Sequence, residues 1–408
     1  IESQNSKEAT VNLLIRNPAE EQIKEVEIQY FTTEVLSQTN NPDGSSLLKL
    51  KLTKPSRYIS SYGINSMTSV SKSNITYTTK FETGSVILNI DMYRDINNEN
   101  DWFNIKTYPS ENFVLNADLD FSNYINPVIT TTVTGKINGN NHTIKNATNN
   151  TNDGILFRVF QGTLSNLYLE NLTKTNYATT SGVIGYLQSS ATVDNVHIKN
   201  ITLKLGNYTG AIAGLSRYSS NIKNSSVTNF SVTDSVDINE MRLGGIVGQS
   251  EQSNIINSYA AAINFNLLNS SQFYAVGGLV GYNSYGIITN AYTTGNINTN
   301  YPNTGGLVGI NYGRVENVIS NMKIISSQIY AGGIIGNDIN NNVSNTLFTG
   351  ELYSSLETEA HRTIGNKNLA NHSLYAWASQ KINGVISNYG SGEELLTTEE
   401  LNSIETYT

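Results

Sequence analysis

The chain has 408 residues, 38% of them hydrophobic and 14% charged, with a formal net charge of -8; that is enough apolar sequence for a sizeable core, and the length favours two domains over one. No run of Lys or Arg marks a nucleic-acid or anionic-membrane partner. Cysteine is absent, which excludes disulfides and thiolate metal sites and leaves Asn, Ser, Thr, Tyr and Gly as the polar surface of a secreted, β-rich protein.

In chain order, residues 1–95 carry short alternating or β-branched runs, from Val11 to Ile15, Val26 to Tyr30, Leu47 to Leu52, Ile75 to Thr78 and Val86 to Ile90. Period-two alternation broken by Asn41-Pro42-Asp43-Gly44 is the signal of antiparallel strands joined by a turn. A small antiparallel β-sandwich is expected there. The polar stretch from Asp95 to Asp101 then ends at Trp102 and Phe103, so residues 96–110 read as a linker or a short helical cap. A stack of repeats needs such a cap to cover its first edge and its apolar interior.

Residues 111–390 repeat. One register aligns Ser181 to Gly185, Gly210 to Gly214, Gly244 to Gly248, Gly277 to Gly281, Gly305 to Gly309 and Gly332 to Gly336, each a Gly-Gly-aliphatic-aliphatic-Gly strand or a near copy, with a worn one at Thr363-Ile364-Gly365. The interval is about 30 residues, the period of stacked repeats. A second landmark follows the last glycine by eight to ten residues: Asn195, Asn224, Asn257, Asn290, Asn317 and Asn345, each with Ile or Val two positions earlier, and Asn166 fits one repeat before. The fold class is therefore all-β, an antiparallel sandwich followed by a parallel β-helix, right-handed by the crossover rule. Roughly nine coils at a ~4.8 Å rung spacing account for the repeats.

In such a coil the Ile, Val and Leu positions form interior ladders, and the repeated Asn suits an αL turn with amide stacked on amide. The glycine strand poses a conflict, because both central aliphatics cannot face inward from a regular strand. Its glycines mark a bend or a close backbone approach. Residues 391–408 read as a connector toward a downstream domain, since a chain that opens on Ile1 without an apolar leader is expected to be a piece of a longer exported protein. No apolar run approaches the ~20 residues that span a bilayer.

Several side-chain groups merit weighing as sites. Glu357, Glu359 and His361 would share one strand face, a metal-ligand pattern, although a solvated turn between worn repeats is the plainer reading. Asp118 and Asp120 likewise pair on one face, as calcium binding or glycoside hydrolysis requires, and an outward solvated face is again plainer. The run from Asn337 to Asn342 has one carboxylate with which to cup a cation, and reads as a polar turn. Tyr218, Tyr285 and Tyr312 each follow the last glycine of their strand by three or four residues, which nominates them as a protein-contact face. Tyr168, Tyr259 and Tyr292, two residues after the Asn landmark, read as ladder members.

The glycine strands, followed by Ile287-Ile288-Thr289-Asn290-Ala291-Tyr292-Thr293-Thr294-Gly295, resemble the GLUG repeat of bacterial surface proteins. The lead-in Asn112-Phe113-Val114-Leu115-Asn116-Ala117-Asp118-Leu119-Asp120-Phe121, then Thr134-Gly135-Lys136-Ile137-Asn138-Gly139, is similar to the non-catalytic region of Gram-positive zinc metallopeptidases of the immunoglobulin A protease type. Pro55 to Ile64 and the closing Leu396 to Leu401 fit the same arrangement.

That resemblance implies a secreted or cell-wall protein whose partners are a host protein substrate such as immunoglobulin A and the parent's own catalytic domain. Zinc would belong to that catalytic domain. The four histidines of this sequence precede Thr143, Ile198, Arg362 and Ser373, so no His-Glu-x-x-His helix is present and no cofactor or catalytic residue is expected in this stretch. Two other readings use the same residues. One is an adhesive module binding host protein or glycan through the solenoid flank. The other is a carbohydrate-active β-helix, which requires clustered acids and bases in a groove; Asp194, Glu251 and Glu316 do not recur as such a cluster.

Overall fold

The computed structural model describes residues 3–4, 8–16, 26–28, 32–53, 73–78, 83–88, 93–233, 240–268, 274–340, 342–356, 360–361, 363–367, 374–377, 381–382, 385–386 and 394–401. It is nearly all β, with 4% helix, and places an antiparallel region ahead of a parallel solenoid of about eight turns, close to the nine expected. Two compact units are present, residues 1–117 with 135–138, and residues 118–134 with 139–408.

In the first unit, strands Ser3–Gln4, Glu8–Arg16, Ser45–Thr53 and Thr32–Asn40 form one antiparallel sheet in that order, and Glu27–Ile28, Ser73–Thr78 and Thr83–Leu88 a second. Alternation does the work in Ser45–Thr53: Leu48, Leu50 and Leu52 are fully buried while Leu47 is exposed. The predicted turn closes the hairpin before it, with Gly44 at φ 77° and the Asp43 carboxylate accepting the Ser45 N–H. Parallel pairing begins in this unit too. Tyr93–Ile96 pairs with Asn112–Leu115, which pairs with Lys136–Asn138. Between the first two of these strands lie the helices Glu99–Trp102 and Asn104–Thr107; Asn98 caps the first by accepting from the N–H groups of Asn100 and Asp101, and Trp102 and Ile105 are buried.

The second unit winds through three parallel sheets. The longest strands, Thr163–Lys174, Thr192–Lys204, Asn254–Leu267, Ile287–Thr299 and Arg314–Ser326, stack in one. A second holds eight strands, from Phe157–Phe160 to Ile364–Lys367, and a third holds seven short ones, from Thr180–Ser181 to Ala360–His361.

A straight strand cannot wrap a core, and asparagine supplies the kinks. In Thr163–Lys174, Asn166 and Asn171 have φ of 52° and 56°. Each adds one outward residue and resets the alternation, so that Leu164, Leu167, Leu169 and Leu172 all stay buried. Every repeated Asn anticipated from sequence adopts this conformation: Asn166, Asn195, Asn224, Asn257, Asn290, Asn317 and Asn345 have φ between 50° and 57°. Their amides also relay along the axis. Asn195 donates to Asn166 at 2.9 Å, Asn257 to Asn224 at 3.3 Å, Asn290 to Asn257 at 2.9 Å and Asn345 to Asn317 at 3.1 Å, while Asn224 turns to Asp194 at 2.9 Å.

A second row was not anticipated. Asn171, Asn200 and Asn229 donate in turn to Asn146, Asn171 and Asn200 at 3.2, 3.0 and 2.6 Å, all with φ between 56° and 59°. In the next coil the exposed Ala262 holds the kink at φ 52°, a conformation that costs an L-residue ~1–2 kcal/mol. Ala262→Gly is therefore expected to stabilise the protein by ~1 kcal/mol, and Ala262→Asn to do so while extending the row. Urea unfolding midpoints test both, and an unchanged or lower midpoint for the glycine variant would contradict the account.

The conflict at the glycine strand resolves into a corner. Strand Met241–Gly244 ends as the motif begins, Gly245 and Ile246 bend, and Val247–Glu251 continues in a different sheet. The bend is what lets both central aliphatics face the core: Ile246 with Val247, Leu279 with Val280, Leu307 with Val308 and Ile334 with Ile335 are all buried. The glycines clear the space between coils, since a Cβ on Gly278 would overlap the carbonyl oxygen of Gly306.

Candidate functional site

Three neighbouring rungs of the eight-strand sheet end in turns that carry outward side chains. Arg217, Glu251 and Ser284 pair in register across three coils, so the residues that follow them, Tyr218, Gln252 and Tyr285, occupy equivalent positions. All three are exposed and lie in αL, with φ of 58°, 52° and 59°. Tyr218 and Tyr285 are 54% and 64% exposed, among the highest values for large hydrophobic residues here. The ring of Tyr312 lies 6.2 Å from Tyr285 and 5.6 Å from Tyr282. The structure thus brings Tyr285 and Tyr312 together and sets Tyr218 in the equivalent turn two coils away.

Sequence reasoning missed the arginines between these rings. Arg217 lies over Tyr218 at 4.8 Å and Tyr186 at 5.7 Å, and donates through Nε and Nη2 to Gln188 Oε1 at 3.0 and 2.9 Å. Arg242 lies over Tyr208 at 5.3 Å and Tyr282 at 4.9 Å, donates to Gln249 and pairs with Glu240 at 3.5 Å. Burial, then the neighbouring Tyr312, pushes the Tyr282 hydroxyl above its usual pKa. The result is a strip of rings, guanidinium groups and amides on neighbouring coils, suited to binding through stacking and hydrogen bonds.

The other candidates have structural partners. Asp118 accepts the Thr143 N–H at 2.9 Å and faces His142 Nδ1 at 3.1 Å, which lowers its pKa. Asp120 accepts from Asn146 and the Ser122 N–H, which together hold it at about 2. Asp120 therefore heads the second asparagine row and Asp118 anchors the following turn. Asp338 points inward, almost fully buried, and accepts from Asn311 at 2.8 Å, which in turn accepts from Asn283 at 2.8 Å. The cation cup is thus an internal amide column. Glu357 and Glu359 lie outside the described residues. Tyr259 and Tyr292 stack at 4.5 Å and 10°, and Tyr168 stacks on His197 at 5.3 Å, as ladder members do.

Both ring nitrogens of His197 are engaged within the fold. His197 has one ring nitrogen 2.8 Å from Ser226 Oγ and the other 2.9 Å from Asn195 Oδ1, and burial lowers its pKa. Among the described residues no three His, Cys, Asp or Glu side chains group as a metal site. No helix among them is long and apolar enough to cross a membrane.

Residues 274–298 match the GLUG motif. This segment is a single coil: strand Tyr274–Gly277, the corner at Gly278 and Leu279, strand Val280–Ser284 and most of Ile287–Thr299. The GLUG glycines are accordingly corner glycines. No curated protein matches the chain. Among solved structures it is similar to a protein described as IgA1 protease, with a TM-score of 0.52 and 15% identity over 95% of this chain and 33% of that one. It is also similar to a candidate immunoglobulin A1 protease from Bacteroides ovatus, with a TM-score of 0.46 and 18% identity over 62% of this chain and 84% of that one. At 15% identity the first likeness is one of fold alone, and the chain spans about a third of that protein's length.

Proposed function

We propose that this chain is a non-catalytic scaffold and substrate-positioning region of a secreted or cell-wall zinc metalloendopeptidase similar to immunoglobulin A proteases, with the zinc and its His-Glu-x-x-His helix in another part of the parent. The observation that carries the reading is the strip around Tyr218, Tyr285 and Tyr312, held on kinked turns of a stacked sheet. Rigid aromatic groups with adjacent arginines are the residue types that dominate protein-binding energy. A fold shared over 95% of the chain with a protein described as IgA1 protease supports immunoglobulin A as the partner to try first.

The purified chain is expected to bind intact immunoglobulin A in preference to an unrelated glycoprotein. Replacing Tyr218, Tyr285 and Tyr312 together by Ala should weaken that binding about tenfold or more. Added zinc should produce no cleavage. Equal binding of both proteins would refute the positioning role, and cleavage of immunoglobulin A by the chain would refute the division of labour.

A further inference from the structure

We infer that the strip is a saccharide-binding site selective for carboxylated sugars, with Arg217 as the residue that reads the carboxylate; this rests on the contact role proposed above and names the part of a glycosylated partner that the strip holds. Three observations converge on it. The first is how Arg217 is partnered. No carboxylate lies within ion-pairing distance of its guanidinium among the described residues, whereas Arg242 in the neighbouring coil has Glu240. Glu251, the register partner of Arg217, accepts instead from Gln249. Two of the five N–H donors of Arg217 go to Gln188, which leaves the edge formed by Nη1 and Nη2, the geometry that takes a carboxylate by two parallel hydrogen bonds.

The second observation is backbone conformation. Tyr218, Gln252 and Tyr285 occupy αL turns, where a bulky side chain is an outlier and glycine or asparagine would be easier to place. At most of its other kinks this chain places asparagine. Large side chains retained in a costly conformation, exposed and in a row, point to a role outside the fold.

The third is the chemistry of the row. Successive coils present a ring, an amide and a ring at ~4.8 Å steps, and Tyr312 follows. The most exposed large hydrophobic residues of these turns are tyrosines, Tyr285 at 64% and Tyr218 at 54%, ahead of the neighbouring Ile287 at 37%. Sugar rings offer C–H faces for the tyrosines and hydroxyls for Gln252 and Gln188, and a carboxylated sugar adds the anion for Arg217.

The test is isothermal titration of the 408-residue chain with 3'-sialyllactose against lactose and with trigalacturonate against maltotriose; the two acidic probes separate sialic-acid from uronic-acid sources of the carboxylate. At least one acidic probe is expected to bind about tenfold more tightly than its neutral counterpart. Arg217→Gln should abolish that preference, while Arg158→Gln, an exposed arginine on the first rung, should leave binding within about twofold. Tyr218→Gly should weaken binding at least about fivefold while its melting temperature stays level or rises, because the ring is lost as the strained turn relaxes. No binding of either acidic probe, equal binding of the neutral ones, or full retention by Arg217→Gln would overturn the proposal. So would binding of enzymatically deglycosylated immunoglobulin A through Arg217 in the absence of any saccharide binding, which would assign the strip to protein.

Discussion

Lys174→Met is expected to stabilise the solenoid unit by ~2 kcal/mol at pH 7. Lys174 is a charged side chain placed in the interior: it is 1% exposed, paired in register with the buried Asn149 and Leu203, and its Nζ has the Thr151 carbonyl at 2.6 Å as hydrogen-bond partner. Burial pulls its pKa from 10.5 to about 8, against an opposing pull from Asp153. A lowered folded-state value means that the folded state disfavours the ammonium. Below pH 8 both states carry the proton and the full penalty applies, ~3 kcal/mol for a shift of this size. Between pH 8 and 10.5 the unfolded chain binds more protons, so stability rises with pH. Methionine has similar length and no charge, and the lost hydrogen bond returns ~1 kcal/mol. Urea unfolding of both proteins at pH 7 and pH 9.5 checks this. Wild type should gain stability at the higher pH relative to the variant; a variant less stable than wild type at pH 7 would show that the ammonium is better satisfied than its surroundings indicate.

What sequence made legible here is what each coil specifies locally and repeats in phase. Asn166 through Asn345 recur at one position because one kink recurs there, and αL geometry is an intrinsic tolerance of asparagine. The second row stayed hidden because its phase breaks: Asn229 is followed by Ala262 and then by Gly295, so no single residue type marks the kink. The corner was half legible. Two adjacent inward aliphatics contradict a regular strand, but whether glycine answers by bending or by close approach depends on the carbonyls of the next coil, and here it does both. Tyr218, Tyr285 and Tyr312 were found by their offset from the corner. Arg217 and Arg242 were not, because they sit in different strands of different sheets and only stacking of the coils interleaves them with the rings.

Gly278→Ala should destabilise the solenoid by ~2–3 kcal/mol, the cost of forcing a methyl group into a site already packed with backbone. The column Gly245, Gly278, Gly306 explains the size of the effect. In each coil the missing Cβ would overlap the carbonyl oxygen of the next glycine in the column, and for Gly306 it would also meet Ser320 Oγ. The backbone that carries these oxygens is held by rung hydrogen bonds of the corner, such as Gly278 N to Gly305 O at 3.2 Å and Gly306 N to Gly332 O at 3.1 Å, and Gly306 O itself accepts from Thr293 Oγ1 at 2.7 Å. Relief therefore requires moving two coils apart rather than rotating a side chain. One coil shows what that costs. Ala211 occupies the equivalent position one rung before Gly245, and its N–H reaches Gly245 O at 3.4 Å, a stretched contact. A single methyl is thus tolerated where its rung loosens, beside a corner whose second aliphatic is the small Ala213 in place of valine. Ala211→Gly should accordingly be neutral to within ~0.5 kcal/mol, shorter contact offsetting the entropy glycine adds to the unfolded chain. Gly278 has Val280 in that place and no such slack. Urea unfolding of the two variants in parallel separates the explanations: equal small effects at both positions would mean that the corner glycines serve flexibility of the chain, whereas a loss confined to Gly278→Ala assigns them to the contact between coils.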